Sequence, residues 1–175
     1  AIFLYVGAEI GSSAWMSTYL VRELKAGIYV GGVAMAIFWG TITVGRLLFA
    51  QLSRFFSPSR LLRLAVGISL AFLVLLNSTR QVNLVLLALG GVGLGYSAIW
   101  PFIVANVASK VNHLQATAIG FTVAFGGVGA LFFPWLMGTW IDFLSLRSIF
   151  LMVLALVVVL FIVVRGNDFR EERGQ

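Results

Sequence analysis

The sequence predicts an all-α integral membrane protein of six transmembrane helices, built as two three-helix repeats of opposite orientation. Three observations lead there. Of its 175 residues 61% are hydrophobic and 10% charged, against about 45–50% and about 25% in a soluble domain. A soluble fold of this size cannot hide that excess, so much of it must face lipid. Six apolar stretches then come close to the roughly 20 residues that a bilayer crossing needs. Finally, small residues recur between the two halves of the chain.

The stretches run 2–21, 28–52, 61–76, 84–108, 114–143 and 148–164. The first is closed by Arg22-Glu23-Leu24-Lys25, and the second by Arg54 and the Ser57-Pro58-Ser59-Arg60 turn. Asn77-Ser78-Thr79-Arg80 closes the third. The fourth ends at Lys110 and His113, the fifth runs into a tight connection to Arg147, and the sixth exits through Arg165-Gly166. The second and fifth exceed what the hydrocarbon needs, so tilt or protrusion is expected. A transmembrane barrel would show strands of about 10 alternating residues, and the unbroken apolar run 151–164 does not alternate. The chain opens at Ala1 directly into an apolar run with no basic n-region or cleavage pattern. That run therefore reads as a span, with further chain expected upstream.

Charge sets the orientation. Arg54, Arg60, Arg63, Lys110, Arg165, Arg170 and Arg173 fall on the side of the N-terminus, and Arg22, Lys25, Arg80 and Arg147 on the other. That bias places both termini in the cytoplasm of a plasma or bacterial inner membrane. The basic residues form no single face, so the net charge of +6 is a topology signal and no nucleic-acid partner is expected. Gly7, Gly11, Ser13 and Ala14 match Gly91, Gly95, Ser97 and Ala98 at a constant offset, while Gly40, Phe56 and Arg60 match Gly127, Phe143 and Arg147. The expected organisation is a first repeat over 1–77, a second over 78–166 and a cytoplasmic tail over 167–175, frayed from residue 169. Because three is odd, the two copies would be inverted across the membrane.

Glu9 is the acidic residue set deep in a span. An ionised carboxylate there costs several kcal/mol, so it is protonated, paired or facing water. Helical spacing puts Tyr5, Glu9, Ser12, Met16 and Tyr19 on one stripe, expected to face a water-filled cavity, with Gly7, Gly11, Ala14 and Thr18 opposite for helix packing. Glu9 is the candidate proton-coupling group; the alternative is a protonated carboxyl simply bonded to a neighbouring helix. Arg46 sits toward the cytoplasmic end of the second span, where snorkelling suits a gating or structural role. In the fourth span the Gly90–Gly95 cluster and Pro101 permit bending. Tyr96 and Trp100 share a face, as a platform for a ligand ring or as plain packing. Gly127 and Pro134 make a second flexible point in the fifth. There is no cysteine, His113 is isolated, and no nucleophile–base or ligand set appears. Neither an enzyme, a cofactor nor a metal is expected.

The stretch Gly45-Arg46-Leu47-Leu48-Phe49-Ala50-Gln51-Leu52-Ser53-Arg54-Phe55-Phe56, followed by Arg60-Leu61-Leu62, resembles the signature between helices 8 and 9 of the major facilitator superfamily. Gly7-Ala8-Glu9 with Trp15, and Gly95-Tyr96-Ser97-Ala98-Ile99-Trp100-Pro101, resemble helices 7 and 10 of its fucose-permease-like branch. Residues 138–147 resemble the end of helix 11. An acidic residue common in the helix 8–9 signature is absent, with Arg54 near its place, which puts the usual charge lock in doubt. The resemblance implies the C-terminal half of a secondary transporter working by alternating access, its cavity walled by the first, second, fourth and fifth helices. Tyr5, Trp15, Tyr96 and Trp100 would then contribute to the site for a small polar solute, possibly a sugar. Six helices make one wall, so the facing half must lie upstream or in a second copy of the chain. The rival reading is a non-transporting, receptor-like membrane subunit built on a transporter half.

Overall fold

The structure is a computed structural model describing the backbone of residues 1–111, 113–141 and 143–173 and the side chains up to residue 166. Six helices follow one another: α1 (Ile2–Thr18), α2 (Ile28–Leu52), α3 (Pro58–Ser78), α4 (Val82–Lys110), α5 (Gln115–Ile141) and α6 (Arg147–Arg173). Helices α2 to α6 are each long and apolar enough to cross a membrane. α1 has 17 residues and is extended by a single π-helical turn, Tyr19–Glu23. In that turn the amide of Leu24 reaches back to the Tyr19 carbonyl at 3.2 Å, and Ala26 to that of Leu20 at 3.0 Å. Lys25, at φ 56°, then breaks the chain away toward α2.

Helix ends follow local chemistry. Pro58 starts α3 at a position whose N–H would have no helical partner, with Ser57 extended before it. Pro101 and Pro134 lie within α4 and α5 without ending them. Two expectations change here. The sixth helix is longer than the expected span: α6 continues past residue 164 to Arg173, since the residues after Gly166 include Arg and Glu, good helix formers, and no proline. The fifth span stops at Ile141, short of the expected 143, because Phe143 lies in a turn whose amide bonds the Trp140 carbonyl. Asp142 in that span, Asn112 in the fourth connection, and residues 174 and 175 of the tail lie outside the described residues.

α4 is the central helix, packed on α2 and α3 and more lightly on α5 and α1. α1 packs mainly on α5 and also on α6 and α2, and α3 packs on α6. Side chains are small where backbones approach. A Cβ on Gly95 of α4 would sit 2.7 Å from the Ala65 carbonyl of α3, and one on Gly129 of α5 would collide with the Phe3 carbonyl of α1. Lipid supplies no hydrophobic drive between helices, so this close van der Waals fit is what holds them.

The end of α3, the start of α6 and the turn that extends α1 are tied by polar contacts. The Glu23 carboxylate accepts the backbone N–H of Arg147, the first residue of α6, at 3.2 Å. The Arg147 guanidinium donates to the Asn77 carbonyl at the end of α3. Asn77 Nδ2 donates in turn to the Phe150 carbonyl at 3.1 Å.

Candidate functional site

Tyr5 and Glu9 are one turn apart on α1, which brings the phenol over the carboxylate. The Tyr5 hydroxyl lies 2.8 Å from Glu9 Oε1 and 3.0 Å from the main-chain carbonyl of Tyr96 on α4. One proton thus faces two acceptors. The Tyr96 ring meets Tyr5 edge-on at 5.7 Å and Phe38 of α2 at 6.1 Å, so three helices converge on the carboxylate. Tyr5 and Tyr96 are fully buried, and Glu9 keeps 7% exposure. The Tyr96 hydroxyl is buried and has no hydrogen-bond partner among the described residues. Ser12 is also internal, its Oγ donating to the Ala8 carbonyl at 2.7 Å.

This corrects the stripe expected to face water. Tyr5, Glu9, Ser12, Met16 and Tyr19 are all buried within the helix bundle. The polar atoms of Tyr5, Glu9 and Ser12 find partners within the protein, so burial does not leave them orphaned. Tyr19 instead stacks edge-on against Phe150 of α6 at 5.1 Å.

Arg46 of α2 is exposed. It shares a helical stripe with Trp39 and Thr43, which are also exposed. That stripe lies on the flank away from an apolar groove of about 500 Å³, walled by Ile37, Gly40 and Val44 of α2, Phe72 of α3 and Leu87 and Gly90 of α4.

The remaining sequence-selected residues do not join the cluster. Trp15 is half-buried on the α5 side of α1, 3.2 Å from where a Cβ on Gly138 would sit, and its Nε1 has no partner among the described residues. It belongs with Gly7 and Gly11, which meet Phe133 and Met137 of α5. Trp100 is half-buried one turn beyond Tyr96, and Pro101 is exposed beside it. Gly127 meets nothing within 4 Å; its neighbours Gly126 and Gly129 are the ones against α1. Sequence reasoning missed the Glu23–Arg147–Asn77 tie. Its members read as ordinary flanking polar residues, and only the fold brings 23, 77 and 147 together. Among the described residues no three metal-ligating side chains cluster.

Among the described residues the architecture is all helical, with five helices long and apolar enough to cross a bilayer, which is that of an integral membrane protein. The chain matches the Major Facilitator Superfamily over residues 1–175 and belongs to it. It is 29% identical over 140 residues to the human "Major facilitator superfamily domain-containing protein 4A", covering 79% of this chain and 27% of that protein. It is 23% identical over 132 residues to the "Protein TsgA homolog" of Erwinia tasmaniensis, covering 75% and 33%. It is 29% identical over 154 residues to "Bypass of stop codon protein 6" of Saccharomyces cerevisiae, covering 78% and 30%. The chain spans a third or less of the length of these relatives.

Proposed function

We propose that this chain is one wall of a secondary transporter that moves a small polar solute by alternating access, coupled to protons through Glu9. The observation that carries this is the Tyr5 hydroxyl, placed between two acceptors on different helices. When Glu9 is ionised, it accepts the phenol proton. When Glu9 is protonated, its own O–H donates to the Tyr5 oxygen, and the phenol proton turns to the Tyr96 carbonyl on α4. Gain of one proton on α1 thereby changes a hydrogen bond to α4, five residues before Pro101. Coupling a buried acid to a second element in this way is what a proton-driven carrier requires.

The pattern of helix contacts supports an inverted-repeat arrangement over 1–77 and 78–166. Exchange α1 with α4, α2 with α5 and α3 with α6: the α1–α5 contact becomes α4–α2, α3–α4 becomes α6–α1, and α3–α6 maps onto itself. The charge bias of the connections supports cytoplasmic termini. Trp100 on α4 and Trp15 between α1 and α5 are the aromatic candidates for solute contact, with Tyr5 and Tyr96 holding the carboxylate behind them. A facing half completes the path, and the greater length of the relatives leaves room for one.

The test is uptake by the full-length protein in proteoliposomes, screened over small polar solutes under an inward proton gradient. Glu9→Gln should abolish concentrative uptake and leave solute exchange intact. Gradient-driven uptake that survives Glu9→Gln at the wild-type rate refutes the coupling role.

A further inference from the structure

Helices α2 and α3 both pack on α4 and barely meet each other. The trench between them is the apolar groove of about 500 Å³, with Ile37, Gly40 and Val44 on one wall, Phe72 on the other, and Leu87 and Gly90 along α4. Glycine makes it deep. Gly90 and Gly91 are buried in its floor, where added Cβ atoms would press on Ile37 and Phe72. Gly40 stands at the rim, with nothing within 4 Å of where its Cβ would sit. From Ile37 to Val44, and from Leu87 to Leu94, the lining runs seven residues along each helix. That makes the trench about 10 Å long, about a third of the hydrocarbon core. Phe72 lies six residues before the end of α3 and Leu87 five after the start of α4, so the trench sits in the leaflet that meets the α3–α4 connection.

Both helices turn their polar side chains away from it. On α2, Arg46 is nine residues from Ile37 and two from Val44, which is about 180–200° around the axis. On α4, Tyr96 meets Tyr5 of α1 edge-on and lies two residues, about 200°, from Leu94. Ionisable residues of a span face the bundle interior or a water-filled cavity, so the opposite flank is the one left to the bilayer.

A trench of this size does not hold water. A buried water needs about two to four polar partners. Among the described residues Thr41 is the one polar side chain on the walls, and its hydroxyl is already given to the Phe38 carbonyl at 2.9 Å. The material present at that depth is the hydrocarbon of lipid tails. We infer that an acyl chain of a bilayer phospholipid lies lengthwise in the α2–α3–α4 trench as a bound lipid, bridging two helices that do not otherwise support each other. Tails are as apolar as the walls, so transfer contributes nothing, and the binding comes from close van der Waals contact. A chain held on three sides makes more of these contacts than one passing over an open helix face. The trench therefore retains its lipid where the rest of the surface exchanges it.

The experiment reconstitutes the full-length protein in liposomes containing phosphatidylcholine with a diazirine in one acyl chain, and maps the labelled residues after illumination. Labelling should concentrate on Ile37, Phe72 and Leu87 over Val74 and Leu151, which are exposed on open faces of α3 and α6. Gly40→Leu fills the trench from its open rim, and leucine is a better helix former than glycine. Labelling of Phe72 and Leu87 should then fall to the level of Val74. Gly67→Leu also meets open space but lies on the exposed stripe of Val74, and should leave the labelling unchanged. Added phospholipid should raise the melting temperature of the detergent-purified protein, and raise it less in Gly40→Leu than in Gly67→Leu. Labelling of the trench no stronger than that of Val74 and Leu151, or unchanged by Gly40→Leu, means passing lipid only and overturns the inference. A trench left unlabelled while Val74 and Leu151 are labelled means that a facing half covers it, and overturns the inference as well. Should Gly40→Leu fail to fold, the map of the wild-type protein decides by itself.

Discussion

Replacing Tyr5 by Phe removes one oxygen from a fully buried ring and leaves the shape of the core almost unchanged, so any effect comes from hydrogen bonding. Two acceptors lose their donor. The Tyr96 carbonyl lies inside α4, where the amide of Trp100 can serve it, so its loss is small. The Glu9 carboxyl, 2.8 Å away, has no other donor among the described residues. A hydrogen bond to a charged group is worth about 1.5–3 kcal/mol in soluble proteins, and side-chain bonds between membrane helices average about 0.6 kcal/mol with a maximum of about 1.7. The expected loss for Tyr5→Phe is therefore about 1 kcal/mol. The assay is a double-mutant cycle of Tyr5→Phe and Glu9→Leu, which removes the acceptor, read by reversible unfolding in mixed micelles. A coupling of about 0.6–1.7 kcal/mol is expected. Strictly additive single effects would show that the two groups do not interact, and the relay between α1 and α4 would fall with them.

Three further outcomes are expected. Gly129→Ala drives a methyl into the Phe3 carbonyl and should destabilise by about 1–3 kcal/mol, whereas Gly127→Ala meets open space and should be neutral or stabilising by about 0.5–1 kcal/mol; equal melting temperatures for the two would contradict the α1–α5 packing. Glu23→Ala removes the acceptor at the start of α6 and should cost about 0.5–2 kcal/mol, as for loss of a helix cap. Hydrogen exchange at the Arg147 amide is the direct readout, and unchanged protection there would rule the contact out. Trp100→Ala should weaken solute binding more than it weakens folding; a fall in melting temperature with unaltered affinity returns this ring to packing.

The helices could be read from the sequence because a span is a one-dimensional property: each apolar run needs only its own length and flanks. What escaped reading was contact between runs. Glu9 was visible as a carboxylate out of place, but Tyr96 as its neighbour across α4 was not, since 91 residues separate it from Tyr5. The polar stripe of α1 was read correctly as a stripe and wrongly as wet, because periodicity gives a face and not what lies opposite it. The glycines show the same limit. Gly126, Gly127 and Gly129 are equivalent as letters, yet the structure sets Gly126 and Gly129 against α1 and leaves Gly127 open. Likewise Gly7 and Gly91, matched in sequence, pack on α5 and α3, helices that the inverted exchange does not relate. The π turn has no signature in Tyr19-Leu20-Val21-Arg22-Glu23, and the tie of Glu23 to Arg147 depends on it.

That turn fixes a phase. A π turn has the form of an α-helix with one residue added, and one residue corresponds to about 100° of rotation around the axis. Removing a single codon between positions 19 and 23 would let the segment wind as ordinary α-helix, turning Glu23 well away from Arg147 while the helix stayed intact. Deletions inside helices usually damage everything downstream. Here one would leave each helix whole and uncouple the ends of α1 and α6, so this stretch is where a change in length, with no change of chemistry, retunes how the helices move as one.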